Sequence, residues 1–253
     1  EAHRQGKKVA TLVTAKGCVA RCTFCHRWDK GYRPIPPNQI ADHVKFLMER
    51  LNVGYVMFTD ENFGSDKRHV RELLEKLKPL DILWTVGGVR VRSMTLELLT
   101  AMREAGCVSV FYGMETGSPR ILEIMEKKAT RQDNLNAAQW TRQAGLFTIY
   151  QMIVGMPGED ESTIRETIDF LKEVTQDAFE SPRSIMSINY IQALPGTPVY
   201  EYARYRGLIG KSLAEEEAYL LHISDVDAAD DTRMLNFTDS DYLTVRSWRR
   251  RIV

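Results

Sequence analysis

The stretch KGCVARCTFCHRW, residues 16–28, carries three of the chain's four cysteines. Cys18, Cys22 and Cys25 have the spacing C-x3-C-x2-C, and Phe24 stands directly before the last of them. Thiolates are soft ligands, suited to zinc and to iron–sulfur clusters. Because the rest of the chain uses cysteine sparingly, their crowding in one loop predicts a metal centre there.

The number of ligands separates two kinds of metal centre. A structural zinc ion needs four donors, but the nearest fourth candidate, His26, directly follows Cys25 and would give poor chelate geometry. Cys107 lies about eighty residues away at the start of a predicted strand, where a free cysteine is usually a small buried hydrophobe. Three thiolates would leave one iron of a four-iron cluster open to another ligand. A noncatalytic zinc module remains an alternative at this point.

Composition narrows the class of protein. The chain has 253 residues, which suits one large domain, and lysine plus arginine and aspartate plus glutamate both number 34. With no net charge, nucleic acid is not an expected partner. No apolar run is long enough to span a membrane, and the N-terminal EAHRQGKK lacks the hydrophobic stretch of a signal peptide. We therefore expect a cytoplasmic protein, in a compartment where clustered cysteines bind metal rather than form disulfides.

Short β-branched and aromatic runs alternate with helical patterns along the chain, which predicts repeated βα units and a mainly parallel sheet. The six predicted strands are Val9–Thr14, Tyr55–Thr59, Ile82–Val86, Val108–Tyr112, Thr148–Val154 and Met186–Ile191. Two of the predicted helices, Thr95–Ala105 and Gln132–Ala144, each end at a glycine placed as a C-terminal cap. Periodicity does not separate an open doubly wound sheet from a partly closed barrel. In both, the working site lies at the C-terminal ends of the strands.

The cysteine loop also supports a family resemblance. CVARCTFC, with Phe24 at the aromatic position and the first strand just before it, resembles the cluster motif of the radical S-adenosylmethionine (SAM) superfamily. The resemblance implies an α/β fold with a partial (β/α)6 TIM-like barrel, which we place at residues 1–209. The acidic and basic runs after Gly210 predict a mostly helical C-terminal extension at 210–253. It also implies a [4Fe-4S] cluster held by Cys18, Cys22 and Cys25, whose fourth iron binds SAM. One electron would then cleave SAM to a 5′-deoxyadenosyl radical that abstracts hydrogen from unactivated carbon.

The resemblance assigns further residues to the SAM site. Those residues are Phe24, Asp60, Glu61, Asn62, Glu115, Thr116, Ser118, Ile153, Gly155, Pro157 and Leu194, and Arg90 is added because it follows the end of the third predicted strand. FTDENFGSD, residues 58–66, lies where the family turns polar groups toward the methionine amino group of SAM, and any of the three residues at positions 60–62 could make that contact. The alternative is an ordinary turn in which Ser65 or Asp66 caps the next helix.

Three later motifs each have a functional and a plain reading. FYGMETGSPRIL, residues 111–122, resembles the E-[ST]-G-S segment of the subgroup that contains methylthiotransferases and cobalamin-dependent members. The resemblance implies that Glu115 contacts the ribose or the methionine part of SAM. The alternative is that Ser118 simply starts a helix. In YQMIVGMPGEDE the backbone around Ile153 and Gly155 would lie along the adenine, or form a tight connection. Leu194 would contact the adenine, or merely end a strand. Arg90 would hold the SAM carboxylate or an anionic substrate, or be solvated.

The best reading is thus a radical SAM enzyme acting on a small molecule, with cobalamin-dependent methyl transfer or rearrangement as the nearest reactions. A flavodoxin or ferredoxin would supply the electron. Enzymes of that type usually carry a cobalamin domain before the cysteine loop. Only 17 residues precede Cys18, so we expect that domain to be absent from this chain or removed from it. The alternative within the superfamily is a methylthiotransferase-like enzyme acting on RNA or protein.

Overall fold

A computed structural model describes residues 6–26, 31–176, 185–225, 228–232 and 234–252. The strands are β1 (Lys8–Leu12), β2 (Ala15–Lys16), β3 (Arg33–Pro34), β4 (Val53–Phe58), β5 (Leu83–Val89), β6 (Cys107–Glu115), β7 (Phe147–Val154) and β8 (Met186–Tyr190). The helices are α1 (Pro37–Leu51), α2 (Lys67–Leu77), α3 (Leu96–Glu104), α4 (Pro119–Ile124), α5 (Arg131–Gln143), α6 (Glu161–Thr175), α7 (Pro198–Tyr205), α8 (Leu213–Asp225) and α9 (Tyr242–Ile252). No described helix combines the length and apolar character that crossing a bilayer requires.

Six strands form one sheet in the order β1-β4-β5-β6-β7-β8, so neighbours in the sheet are also successive major strands of the chain. The pairs β1/β4, β4/β5 and β5/β6 are parallel. All six predicted strands are confirmed, with ends that differ by a few residues. The short strands β2 and β3 pair antiparallel in a separate two-stranded sheet that the sequence analysis did not predict.

Local sequence fixes the helix ends. The Thr95 hydroxyl accepts a hydrogen bond from the Leu98 N–H and so caps α3 at its N-terminus. Beyond α3, Gly106 has a φ of +94°, and a Cβ there would lie 2.2 Å from the Ile82 carbonyl oxygen. Glycine is therefore required for both the left-handed turn and the close approach. Gly145, with a φ of +69°, follows α5, so both predicted glycine stops are confirmed.

The chain divides into two compact units. The first comprises residues 1–19, 27–113 and 132–150. Its core is built from aromatic and aliphatic side chains around Trp84, whose ring meets that of Phe58 edge-on with centroids 5.6 Å apart. The Trp84 indole N–H donates to the Ala105 carbonyl at 2.8 Å, so the buried polar group is satisfied.

The second unit comprises residues 20–26, 114–131 and 151–253. A buried apolar cluster forms part of its core, with Ile121, Met156, Ile191 and Phe237 among its members. Helix α9 buries Trp248, whose indole N–H donates to Glu161 at the start of α6 at 2.7 Å. The α9 and α6 helices are thereby joined through a polar contact as well as by packing.

Candidate functional site

None of the three cysteines of the C-x3-C-x2-C motif forms a disulfide with another described cysteine. Cys18 and Cys22 are both 8% exposed, while Cys25 is exposed to solvent. Cys18 belongs to the first unit, and the turn Cys22–Cys25, here called the cysteine turn, belongs to the second. The Cys25 N–H donates to the Cys22 carbonyl at 3.3 Å and closes this turn.

Within the described ranges, no three His, Cys, Asp or Glu side chains are grouped as ligands of one metal ion. A single zinc ion needs its donors around one point. A four-iron cluster instead takes each thiolate on a different iron, so its ligands need not converge on one point.

A buried ion pair lies in the second unit beside the cysteine turn. Lys127 donates to a Glu115 carboxylate oxygen at 2.5 Å, and both side chains are only 9% exposed. The Lys127 ammonium also lies 5.8 Å from the ring centroid of Phe24, within range of a cation–π interaction. Because a buried charge without a partner is costly, each member of the pair requires the other. Sequence reasoning missed Lys127, since nothing in its local pattern marks a lysine as buried.

The segment after β6 is held in an unusual backbone shape. Glu115 has a φ of +66°, which costs a non-glycine residue free energy and persists only when its surroundings enforce it. The Thr116 hydroxyl contacts the Thr167 hydroxyl at 2.9 Å and accepts from the Ser118 N–H at 3.1 Å, so Thr116 has a structural role here. A Cβ at Gly117 would lie 2.4 Å from that of Phe170, so only glycine fits against α6.

Ser118 precedes α4, yet its side chain does not cap that helix. Its hydroxyl oxygen is buried and has no hydrogen-bond partner among the described residues. Buried polar atoms in folded proteins are nearly always satisfied, so such an orphan atom calls for an explanation, and a bound ligand is one.

The polar residues after β4 separate into different roles. The Asp60 carboxylate accepts hydrogen bonds from the Thr14 N–H at 2.5 Å, from the Ala15 N–H at 3.3 Å and from the Thr14 hydroxyl. Burial raises the pKa of Asp60 above its ordinary value, and these hydrogen bonds oppose the rise. Asp60 therefore anchors the backbone just after β1, whereas Glu61 is exposed.

Asn62 stands apart from its two acidic neighbours. It is 1% exposed, and neither its amide nitrogen nor its amide oxygen has a hydrogen-bond partner within the part of the chain that the structure describes. The loop that carries Asn62 is fixed, because the Phe63 N–H donates to the Gly88 carbonyl at 3.2 Å. Asp66 accepts hydrogen bonds from two N–H groups of α2, which confirms the predicted helix cap.

Residue 88 can only be glycine. Gly88 has a φ of +65°, and a Cβ there would lie 1.8 Å from the Asp60 carbonyl oxygen. The backbone of β5 thus passes directly against the loop that presents Asn62. Arg90, just beyond β5, is half-buried at the start of a short 3-10 turn, Val91–Ser93.

A buried carboxyl group shapes the turn after β7. Glu159 is 3% exposed, and one of its oxygens accepts from the Gly155 N–H at 2.5 Å and the Met156 N–H at 3.1 Å. Burial raises the pKa of Glu159 to about 8. The next residue, Asp160, caps the N-terminus of α6. The backbone at Gly155, where φ is +93°, is therefore held by a side chain that sequence reasoning missed.

The remaining predicted contacts lie around the second unit's core. Phe24 and Ile153 both pack against the same buried apolar cluster, so both border the core of the second unit. Pro157 and Leu194 are half-buried, and the Leu194 carbonyl accepts from the Thr197 hydroxyl at 2.7 Å.

Comparison with known proteins decides the family. Residues 12–171 match the sequence model of the Radical SAM superfamily. The chain belongs to this superfamily. The radical SAM resemblance of the cysteine loop is thus confirmed, and membership implies a [4Fe-4S] cluster and SAM as cofactors. The family match supports an enzyme, and radical SAM enzymes in general need a reductant.

Individual relatives are only moderately similar to this radical SAM chain. An uncharacterized methyltransferase of Pyrococcus horikoshii is 28% identical over 209 residues, covering 81% of this chain and 44% of the relative. An anaerobic magnesium-protoporphyrin IX monomethyl ester cyclase of Rubrivivax gelatinosus is 29% identical, covering 68% of this chain and 32% of the relative. The chain thus spans less than half the length of these curated relatives.

A solved structure shows the same fold. The radical SAM methyltransferase TsrM from Kitasatospora setae, solved with cobalamin and a [4Fe-4S] cluster bound, has a TM-score of 0.65 and 21% identity. The match covers 78% of this chain and 38% of that one. The predicted partial (β/α)6 TIM-like barrel is therefore confirmed.

The residues present fit the groups that a radical SAM protein binds. The three motif cysteines supply soft sulfur donors for iron, and none of them is in a disulfide with a described cysteine. Asn62 and Ser118 offer buried polar atoms that have no partner within the described chain, as expected of groups that meet a ligand.

Proposed function

We propose that this chain is the radical SAM core of an enzyme that transfers a methyl group to an unactivated carbon of a small molecule, or rearranges it, with cobalamin as a second cofactor. The observation that carries the proposal is the orphaned, buried amide of Asn62 in a fold shared with a cobalamin-binding methyltransferase. The names of the similar proteins, a methyltransferase and a cyclase, support these reaction classes.

Three cysteines would hold the cluster in this proposal, and the open position would take SAM. Asn62 would accept a hydrogen bond from the amino group of SAM through its amide oxygen, since that oxygen has no partner in the described chain. When bound, the cluster and SAM together supply one-electron cleavage of a carbon–sulfur bond. Asp60 would keep the loop of Asn62 in place through its bonds to Thr14 and Ala15.

Further residues would make the remaining contacts with SAM in this proposal. Ser118 would donate its unpartnered hydroxyl to the ligand, and the Glu115–Lys127 pair would present a carboxylate and an ammonium close together. Arg90 would supply a further cation. The backbone at Ile153 and Gly155, with Pro157 and Leu194, would form an apolar wall for the adenine, shaped by the hydrogen bonds to Glu159.

The proposal extends to the domain boundaries, the electron donor and the cellular location. Residues 1–209 would form the core and residues 210–253 an extension of it, with any cobalamin domain belonging to a longer protein. A flavodoxin or ferredoxin would be the reductant. Clustered cysteines that are not in disulfides suit a reducing compartment, so we propose that the protein is cytoplasmic, with no nucleic acid partner.

Anaerobic reconstitution with iron and sulfide tests the proposal. After addition of dithionite and SAM, the wild-type chain should form 5′-deoxyadenosine. Cys22→Ala should abolish this product, while Cys107→Ala, which removes the cysteine outside the motif, should keep it. With cobalamin added, release of S-adenosylhomocysteine would indicate methyl transfer, and a methylthiolated RNA or protein would assign the chain to methylthiotransferases instead. A protein that binds one zinc ion and forms no 5′-deoxyadenosine would refute the radical reaction.

A further inference from the structure

We propose that Thr23 is a positioning residue that ties the cysteine turn to the segment 115–128. The inference rests on the proposed function, in that Cys22 and Cys25 hold the cluster and Glu115 and Ser118 face SAM. Thr23 itself binds neither group in this proposal. Its effect is to fix where two cluster ligands stand relative to the SAM-facing segment.

Thr23 makes three hydrogen bonds with backbone groups outside its own turn. Its N–H donates to the Met125 carbonyl at 3.0 Å, and its hydroxyl donates to the Ile124 carbonyl, also at 3.0 Å. Its own carbonyl accepts from the Val199 N–H, in the first turn of α7, at 3.1 Å. The residue between Cys22 and Phe24 is thus fastened to two helices of the second unit.

The contacts with Ile124 and Met125 meet a need of the short helix α4. A helix leaves its last four carbonyl groups without partners inside the helix. Since α4 has only six residues, these groups make up most of it. Thr23 supplies donors for two carbonyls at this end, so the cysteine turn acts as a C-terminal cap for α4.

The segment that Thr23 fastens is under backbone strain. Among the described residues, five non-glycine residues have a positive φ, and three of them, Glu115, Glu126 and Lys128, lie in this segment. Such conformations persist only where contacts enforce them, and they concentrate at functional sites. The Lys127 side chain, between two of the strained residues, bonds to Glu115 and lies over Phe24. Two routes therefore connect the cysteine turn with Glu115, one through Thr23 and one through Lys127.

Three variants separate positioning from general stability. Thr23→Val keeps the size of the side chain and removes the donor to Ile124, while Thr23→Ser keeps the hydroxyl. Thr175→Val is the matched control, because the half-buried Thr175 also donates its hydroxyl to a backbone carbonyl, that of Leu171, at 2.7 Å. Each protein is reconstituted with iron and sulfide. The measurements are the rate of iron release to a chelator, the change that SAM causes in the electron paramagnetic resonance (EPR) spectrum of the reduced cluster, and the melting temperature before reconstitution.

We expect Thr23→Val to release iron about fivefold faster than wild type and to show a diminished spectral response to SAM, in line with the loss of one hydrogen bond. Thr23→Ser should behave as wild type, and the two valine variants should melt at similar temperatures. The inference is overturned if Thr23→Val matches Thr175→Val in iron release and in the EPR response. It is also overturned if Thr23→Ser fails to restore both. A wild-type chain that takes up no cluster would overturn the proposed function as well, so the two failures are distinguishable.

Discussion

Replacing Glu159 by glutamine should make the protein more stable at alkaline pH. The carboxyl is buried, and one of its oxygens accepts both the Gly155 and the Met156 N–H groups. A glutamine amide oxygen can accept the same two bonds and does not ionise. The variant therefore keeps the turn after β7 and removes only the charge that burial disfavours.

The sign and size of the expected stability change follow from the raised pKa of Glu159. Burial raises the pKa of Glu159 in the folded chain from 4.5 to about 8, so the folded state favours the protonated carboxyl. The associated stability is fully present below the unfolded pKa and is lost as the pH rises through the folded one. At about 1.4 kcal/mol for each pKa unit, the total loss is roughly 5 kcal/mol, and the part that falls between pH 5 and pH 8 is roughly 4 kcal/mol. For a chain of this size it corresponds to about 10 °C in melting temperature.

Thermal unfolding followed by circular dichroism between pH 5 and pH 8 would measure this loss of stability. The melting temperatures of wild type and Glu159→Gln should be close at pH 5 and should separate by about 10 °C at pH 8, with the variant higher. Glu49→Gln, at an exposed position, serves as the control and should follow wild type throughout. If the curves of wild type and Glu159→Gln stay parallel from pH 5 to pH 8, Glu159 does not titrate as its burial requires.

Three further predictions concern the site, and five substitutions test them. Gly88→Ala places a Cβ 1.8 Å from a backbone oxygen and should lower the free energy of unfolding by about 4 kcal/mol or more, measured by chemical unfolding. Gly145→Ala, where the space is open, should lower it by about 1 to 2 kcal/mol. Equal losses in the two variants would show that the clash at residue 88 is relieved. Asn62→Ala should leave the free energy of unfolding within about 1 kcal/mol of wild type but weaken SAM binding in equilibrium dialysis. Asp60→Ala leaves buried N–H groups without an acceptor and should lower the free energy of unfolding by about 2 to 4 kcal/mol. A larger loss of stability in Asn62→Ala than in Asp60→Ala would contradict these roles. Lys127→Met leaves the buried Glu115 carboxylate without its ion-pair partner and should lower the free energy of unfolding in denaturant by about 3 to 5 kcal/mol. An unchanged free energy of unfolding would mean that the pair is open to water.

The fold was predictable because its signals are local. Runs of β-branched and aromatic residues mark all six strands of the main sheet, and Gly106 and Gly145 mark two helix ends. The prediction ended the fourth major strand at Tyr112, whereas β6 continues to Glu115, since Gly113 interrupts the strand pattern without ending the pairing. Strands β2 and β3 were missed because two residues are too short to show any periodicity.

The site was less predictable, because its contacts join distant parts of the chain. Three polar residues in a row after β4 look alike in sequence, and only the position of Thr14 shows that Asp60 is engaged and that Asn62 is left without a partner in the described chain. Lys127 and Glu159 were missed for a related reason. Burial of a charged side chain depends on tertiary packing, and composition favours placing such residues on the surface.

The unequal exposure of the cysteines has a practical use. Thiols react with alkylating reagents according to how open they are to solvent, so before iron is added Cys25 should be labelled first and the fully buried Cys107 last, with burial also raising the pKa of Cys107. Mass spectrometry of a labelling time course would therefore report separately on the state of each cysteine in the cysteine loop. A preparation in which Cys25 resists the reagent has already oxidised or filled that loop.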